Sequence, residues 1–211
     1  EHPNSNNFKI IEAYVEKLVW LLNDSGLNGG RFGNIKIKKL KWSIDQLDHH
    51  TTWYAMIYSI WGVTRGDNKY YQAGLNQFIA ALDASRQDGS IISEVKPNPR
   101  PKSTHGGWGS LVRNNESLSY LAVAAAALST QEPDLMKFNV NGVSFKNLLD
   151  FGVLSSVDNS IADKHTKVKE YETKHIDDPG SALGRNLSWY NLMRAFVDYP
   201  ENAEFEKLLQ N

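Results

Sequence analysis

The chain has 211 residues, a formal net charge of −1, 41% hydrophobic and 22% charged residues, and no cysteine. That supports a single domain over residues 1–211 with one core. It excludes disulfides, thiolate metal sites and the basic footprint of a nucleic-acid binder, while a local cluster of cations can still hold a polyanion. No apolar run reaches the length of a membrane span. The sequence opens at Glu1 without Met or a signal peptide, so a processed or truncated N-terminus is expected.

Helical spacing dominates the chain. Ile11, Tyr14, Val15, Leu18, Val19 and Leu22 fall at steps of three and four, predicting a helix over 8–22 that stops at Asn23-Asp24-Ser25-Gly26. The basic stretch Lys36 to Lys41 reads equally as a short strand or as a loop leading into a helical turn. Asp48 is placed to cap a helix burying Trp53, Met56, Ile57, Ile60 and Trp61, which ends at Gly66-Asp67-Asn68. A second helix follows from about Lys69 to Ser85 and closes at Asp88-Gly89.

Residues 89–113 contain Pro97, Pro99, Pro101, Gly106, Gly107 and Gly109, so no long regular element is expected there. A loop of this length inside a compact domain is usually functional or disordered. Asn114 or Asn115 is read as the cap of an apolar helix through Leu118, Leu121, Ala122, Ala125 and Leu128, whose small residues suit an inner position. Asn139 to Gly142 reads as a turn or short hairpin before a helix over 145–154. Asp158 to Gly180 reads as an exposed loop with a helical piece at its centre. A final helical pair covers 187–196 and 201–209, broken at Tyr199-Pro200. Short turns between helices point to antiparallel hairpins packed side by side, and the chain has no fixed-period repeat of the solenoid kind.

Polar chemistry concentrates in two places. The first is Asp48-His49-His50-Thr51-Thr52-Trp53 at a helix start. Adjacent histidines point about 100° apart on a helix, and no His or Glu stands at ligand spacing, so a metal is not expected. The positive helix end favours neutral imidazole, the form a general base needs. The bland alternative is a pair of polar surface residues. The second place is the long loop and the helix after it. There Lys96, Arg100, Lys102, His105 and Arg113 face one acid, Glu94, and Trp108 adds a ring that can stack on a sugar. Arg113 and Tyr120 are two turns apart and share a helix face, if the helix reaches back that far. Their bland alternative is a solvated charge and a core aromatic.

These segments together resemble the alginate lyases of polysaccharide lyase family 5. Asp48 to Trp53, DHHTTW, is similar to the family's NNHSYW motif. The segment SIISEVK after Asp88-Gly89 is similar to a family segment of the type GYLPNELKR. Arg113 stands seven before Tyr120, as the family's Arg and Tyr do, and Leu187-Ser188-Trp189-Tyr190 resembles its final AWLEPY helix. The shared order runs over roughly 45–205. The departures are Asp48 and His49 for the family's two Asn, Thr52 for its Tyr, and a Pro- and Gly-rich insertion over about 97–109. The family's domain is also longer, with N-terminal helices and a lid that have no counterpart here. A second register, with Val123 at the catalytic Tyr position, loses the Arg–Tyr pair.

The resemblance implies an all-α fold of antiparallel helical hairpins forming an (α/α) toroid, incomplete in this chain. It implies no cofactor and no metal, a periplasmic or secreted location, and an acidic polysaccharide as partner. The activity implied is β-elimination across C4–C5 of a uronate. His50 and Tyr120 would be the base and acid, in either order, with His49 and Arg113 on the carboxylate. Trp53, Trp108, Lys96, Arg100, Lys102, His105 and Glu94 would line the substrate path. The alternatives are a non-catalytic relative that binds acidic saccharide, and another carbohydrate enzyme on a helical toroid, for which Asp48 and Glu94 are the available carboxylate pair.

Overall fold

The computed structural model describes residues 9, 13, 49–96, 109–132, 134–158, 160–166, 187, 189–197 and 199–210. Among them are seven α-helices: α1 His49–Arg65, α2 Asn68–Asp83, α3 Gly109–Leu128, α4 Phe145–Val157, α5 Ser160–Thr166, α6 Trp189–Val197 and α7 Ala203–Gln210. The expected N-terminal helix is described only at Lys9 and Ala13, both helical. The basic stretch 36–41, Asp48 and residues 97–108 lie outside the described residues. In the polar run after Asp158, α5 supplies a helical piece, and 167–180 lie outside the described residues.

The turn between α1 and α2 uses the punctuation read from the sequence. Gly66 takes a φ of +64° and ends α1. Asp67 then caps α2, its carboxylate accepting from the N–H of Lys69 at 2.9 Å and of Tyr70 at 3.4 Å. Two glycines let the hairpin close tightly. A Cβ on Gly62 would lie 2.2 Å from the Tyr71 nitrogen, and one on Gly74 would lie 2.4 Å from Ser59 Oγ. These paired contacts make the helices antiparallel.

α3 is the inner helix. It packs on α1, α2, α4 and α6. Leu118, Leu121, Ala122, Ala124, Ala125 and Leu128 are fully buried along it. It is longer than its sequence suggests. Leu111, seven residues before Leu118, is buried as well and carries the apolar face back to Gly109. Asn114 and Asn115 are therefore not caps but fully buried interior residues. Their side chains serve other elements: Asn114 Oδ1 accepts the Ile91 N–H at 3.3 Å, and Asn115 Nδ2 donates to Ser156 Oγ of α4 at 3.2 Å.

The two short strands, Asn139–Val140 and Val143–Ser144, form an antiparallel hairpin around Asn141 and Gly142, with φ of +53° and +86°. Asn-Gly is the pair that such a twisted two-residue turn favours. Ser144 and Asn147 then close a capping box on α4. The core gathers Phe78 against Phe145, and Trp189 and Tyr190 of α6 against Phe205 of α7. Each such side chain contributes on the order of 2–3 kcal/mol on burial.

Candidate active site

His49 is the first residue of α1, and it meets Glu94 twice. The backbone N–H of His49 donates to Glu94 Oε1, and His49 Nδ1 lies 3.0 Å from the same oxygen. The Glu94 side chain is 2% exposed and that of His49 is 18% exposed. One buried carboxylate thus satisfies the open helix end and fixes the imidazole. Glu94 faces α1. Thr51 and Thr52 are buried behind it, with the Thr52 hydroxyl donating to the His49 carbonyl at 3.0 Å. His50 occupies the second position of α1. The His50 side chain and Asp48 lie outside the described residues.

The turn that carries Glu94 is held from three sides. Its own backbone closes with Val95 N–H donating to Ile91 C=O at 2.9 Å. Arg86 Nη1 donates to Val95 C=O and to Ser90 Oγ, each at 3.0 Å. Burial pulls that guanidinium below its ordinary value, with Asp88 opposing the shift. The third support is the Ile91 bond to Asn114, which fastens the turn to α3 one residue after Arg113. The start of α1 and the first half of α3 are therefore bridged by a single pinned segment, the one carrying the Glu-Val-Lys motif.

On α3, Arg113, Glu116 and Tyr120 form a stripe with helical spacing. Arg113 is exposed, and Tyr120 is half-buried two turns, about 10 Å, further along the axis. The Tyr120 hydroxyl donates to Glu116 Oε1 at 2.9 Å. Burial, with the Glu116 hydrogen bond and charge adding to it, pushes the Tyr120 phenol up to about 12. At neutral pH the hydroxyl is protonated and is a proton donor. Glu116 did not figure in the sequence reading, although its four-residue spacing from Tyr120 is a known pairing distance on a helix.

Trp53 is half-buried beside Tyr54, with ring centroids 5.9 Å apart. Lys96 is exposed at the end of the Glu94 turn. Arg100, Lys102, His105 and Trp108 lie outside the described residues. Among the described residues there is no group of three or more His, Asp or Glu side chains arranged to hold a metal, and no helix long and apolar enough to cross a membrane.

No protein-family profile matches the chain, and no curated protein matches it. Solved structures do. A Tyr-to-Phe variant of alginate lyase A1-III complexed with tetrasaccharide superposes with a TM-score of 0.66 at 20% identity, over 95% of this chain and 49% of that one. The fold is alginate-lyase-like. A His-to-Ala variant of the same enzyme, also with tetrasaccharide, gives 0.66 at 18% identity, again over 95% and 49%. The apo form of the His-to-Ala variant gives 0.61 at 17% identity, over 95% and 57%. The chain spans about half the length of these lyases. At this identity the likeness establishes the all-α toroid type of fold, which agrees with the expectation from helical spacing and motif order.

Proposed function

We propose that the protein is a polysaccharide lyase acting on an acidic uronate polymer, alginate or polymannuronate, by β-elimination. The observation that carries this reading is the superposition of 95% of the chain on an alginate lyase complexed with tetrasaccharide. The colinear His, Glu-Val-Lys, Arg and Tyr segments add to it.

In the proposed reaction His49 and Arg113 meet the uronate carboxylate and draw off its charge, which makes the C5 proton acidic. Cations and N–H donors aimed at the developing enolate are the largest contribution in reactions of this type. His50 takes the C5 proton, the C4–O4 bond breaks, O4 leaves with a proton from Tyr120, and a C4=C5 double bond remains. Tyr120 takes the acid's part in this reading, since its phenol, pushed up by burial and the Glu116 hydrogen bond, carries its proton at neutral pH. Tyr and His are also the residue types replaced in the neighbours complexed with tetrasaccharide. Trp53, Lys96, Arg100, Lys102, His105 and Trp108 supply rings and cations for the polymer. No cofactor enters. A substrate of this size goes with a periplasmic or secreted location and with residues 1–211 acting as one domain.

A hydrolase reading would require Glu94 as a free carboxyl, and it is engaged by His49. The test is incubation of the protein with alginate, polymannuronate, polyguluronate and glucuronan, followed through the ultraviolet absorbance of the new double bond. The expected result is product from at least one polymer, lost in His50→Ala. Retention of a uronan without product would establish a binding protein instead.

A further inference from the structure

The buried carboxylate of Glu94 has no place in the elimination itself, yet it lies against His49, the one candidate histidine whose side chain is among the described residues. We propose that Glu94 is a positioning residue that holds the His49 imidazole through Nδ1–H, so that in the charged ring the outer Nε2–H is the donor that meets the uronate carboxylate. The proposal rests on the lyase reading above for what Nε2 meets, but the Glu94–His49 arrangement stands on geometry alone.

Three observations carry it. Glu94 Oε1 receives the His49 backbone N–H and lies 3.0 Å from Nδ1, so ring and backbone are clamped to one atom. A carboxylate is an acceptor only, so the shared proton resides on Nδ1. The Glu94 side chain is 2% exposed while that of His49 is 18% exposed, so the ring is the part of the pair that reaches outward. The turn that carries Glu94 is held by the Arg86 bonds to Ser90 and Val95 and by the Ile91 bond to Asn114, which fixes the backbone from which the carboxylate reaches the ring. When the ring is charged, both nitrogens donate: Nδ1–H to Glu94, and Nε2–H to a substrate carboxylate. The same arrangement, an orienting carboxylate behind an imidazole, recurs wherever the ring's outer nitrogen must keep one direction.

The test reads the tautomer directly. Nitrogen-15 spectra of the His49 ring at alkaline pH, where imidazole is neutral, should show the proton on Nδ1 in the wild type. Glu94→Gln keeps an oxygen acceptor and should keep that tautomer, whereas Glu94→Leu should shift it toward Nε2–H. Elimination rates give the second arm. Glu94→Leu should lower kcat tenfold or more with KM changed less than threefold, and Glu94→Gln should fall between Glu94→Leu and wild type. With Asn at position 49, where the backbone N–H remains and the ring is gone, Glu94→Leu should change kcat less than twofold. A wild-type ring protonated on Nε2, or an equal kcat loss in the His49→Asn background, overturns the proposal. If the wild type forms no unsaturated product, the lyase reading fails, and the tautomer still decides whether Glu94 positions His49.

Discussion

Removing one oxygen atom from Tyr120 separates catalysis from folding. The Tyr120 hydroxyl makes a single hydrogen bond, to Glu116 at 2.9 Å, and both side chains are only half-buried. In Tyr120→Phe the ring stays packed and Glu116 turns to water, so the cost is that of one net hydrogen bond, about 1 kcal/mol. For a chain of this size that lowers Tm by about 2–4 °C. The proton-transfer role is worth far more, about 10²–10⁴ in rate, or about 3–5 kcal/mol. The paired assay is a thermal melt beside the rate of unsaturated-product formation. The account expects a near-normal melt and a rate down at least a hundredfold. A variant that melts normally and eliminates at near the wild-type rate refutes Tyr120 as the acid.

Gly62→Ala should destabilise the α1–α2 hairpin by about 1–3 kcal/mol in urea unfolding, even after the better helix propensity of Ala. The added Cβ meets the Tyr71 backbone at 2.2 and 2.4 Å, which cannot rotate away, so unchanged stability would mean the two helices do not pack this closely. Alkaline pH should unfold the protein through its tyrosines. Tyr71 and Tyr120 are raised to about 12 from an ordinary 10.0, both chiefly by burial and then by a carboxylate neighbour, and Tyr58 and Tyr199 are raised further. The stability tied to these groups is present below pH 10 and is lost as pH rises through about 12. Tyrosinate absorbance should therefore rise in step with loss of helix, and full ionisation with helices intact would contradict the burial.

The helices were legible because their packing is written in local spacing. Ile57 and Trp61 sit four apart and are both buried on α1, and Asn141-Gly142 names its own turn. The start of α3 was not legible, because Gly109 follows a run of prolines and glycines and reads as a breaker. Asn114 and Asn115 imitate caps in sequence, and only tertiary partners 23 and 41 residues away reveal them as buried struts. The same holds for the site. The Arg113–Tyr120 spacing was readable on one helix, whereas the Glu94–His49 contact joins residues 45 apart and leaves no local trace. The resemblance placed Glu94 in a motif without saying what it touches.

The central claim is elimination, and the mass of the product tests it most directly. Uronan oligosaccharides incubated with the protein should yield non-reducing-end fragments lighter by one water than hydrolysis would leave, each carrying the C4=C5 double bond. Fragments at the hydrolytic mass, or intact polymer from every uronan tried, would contradict the account.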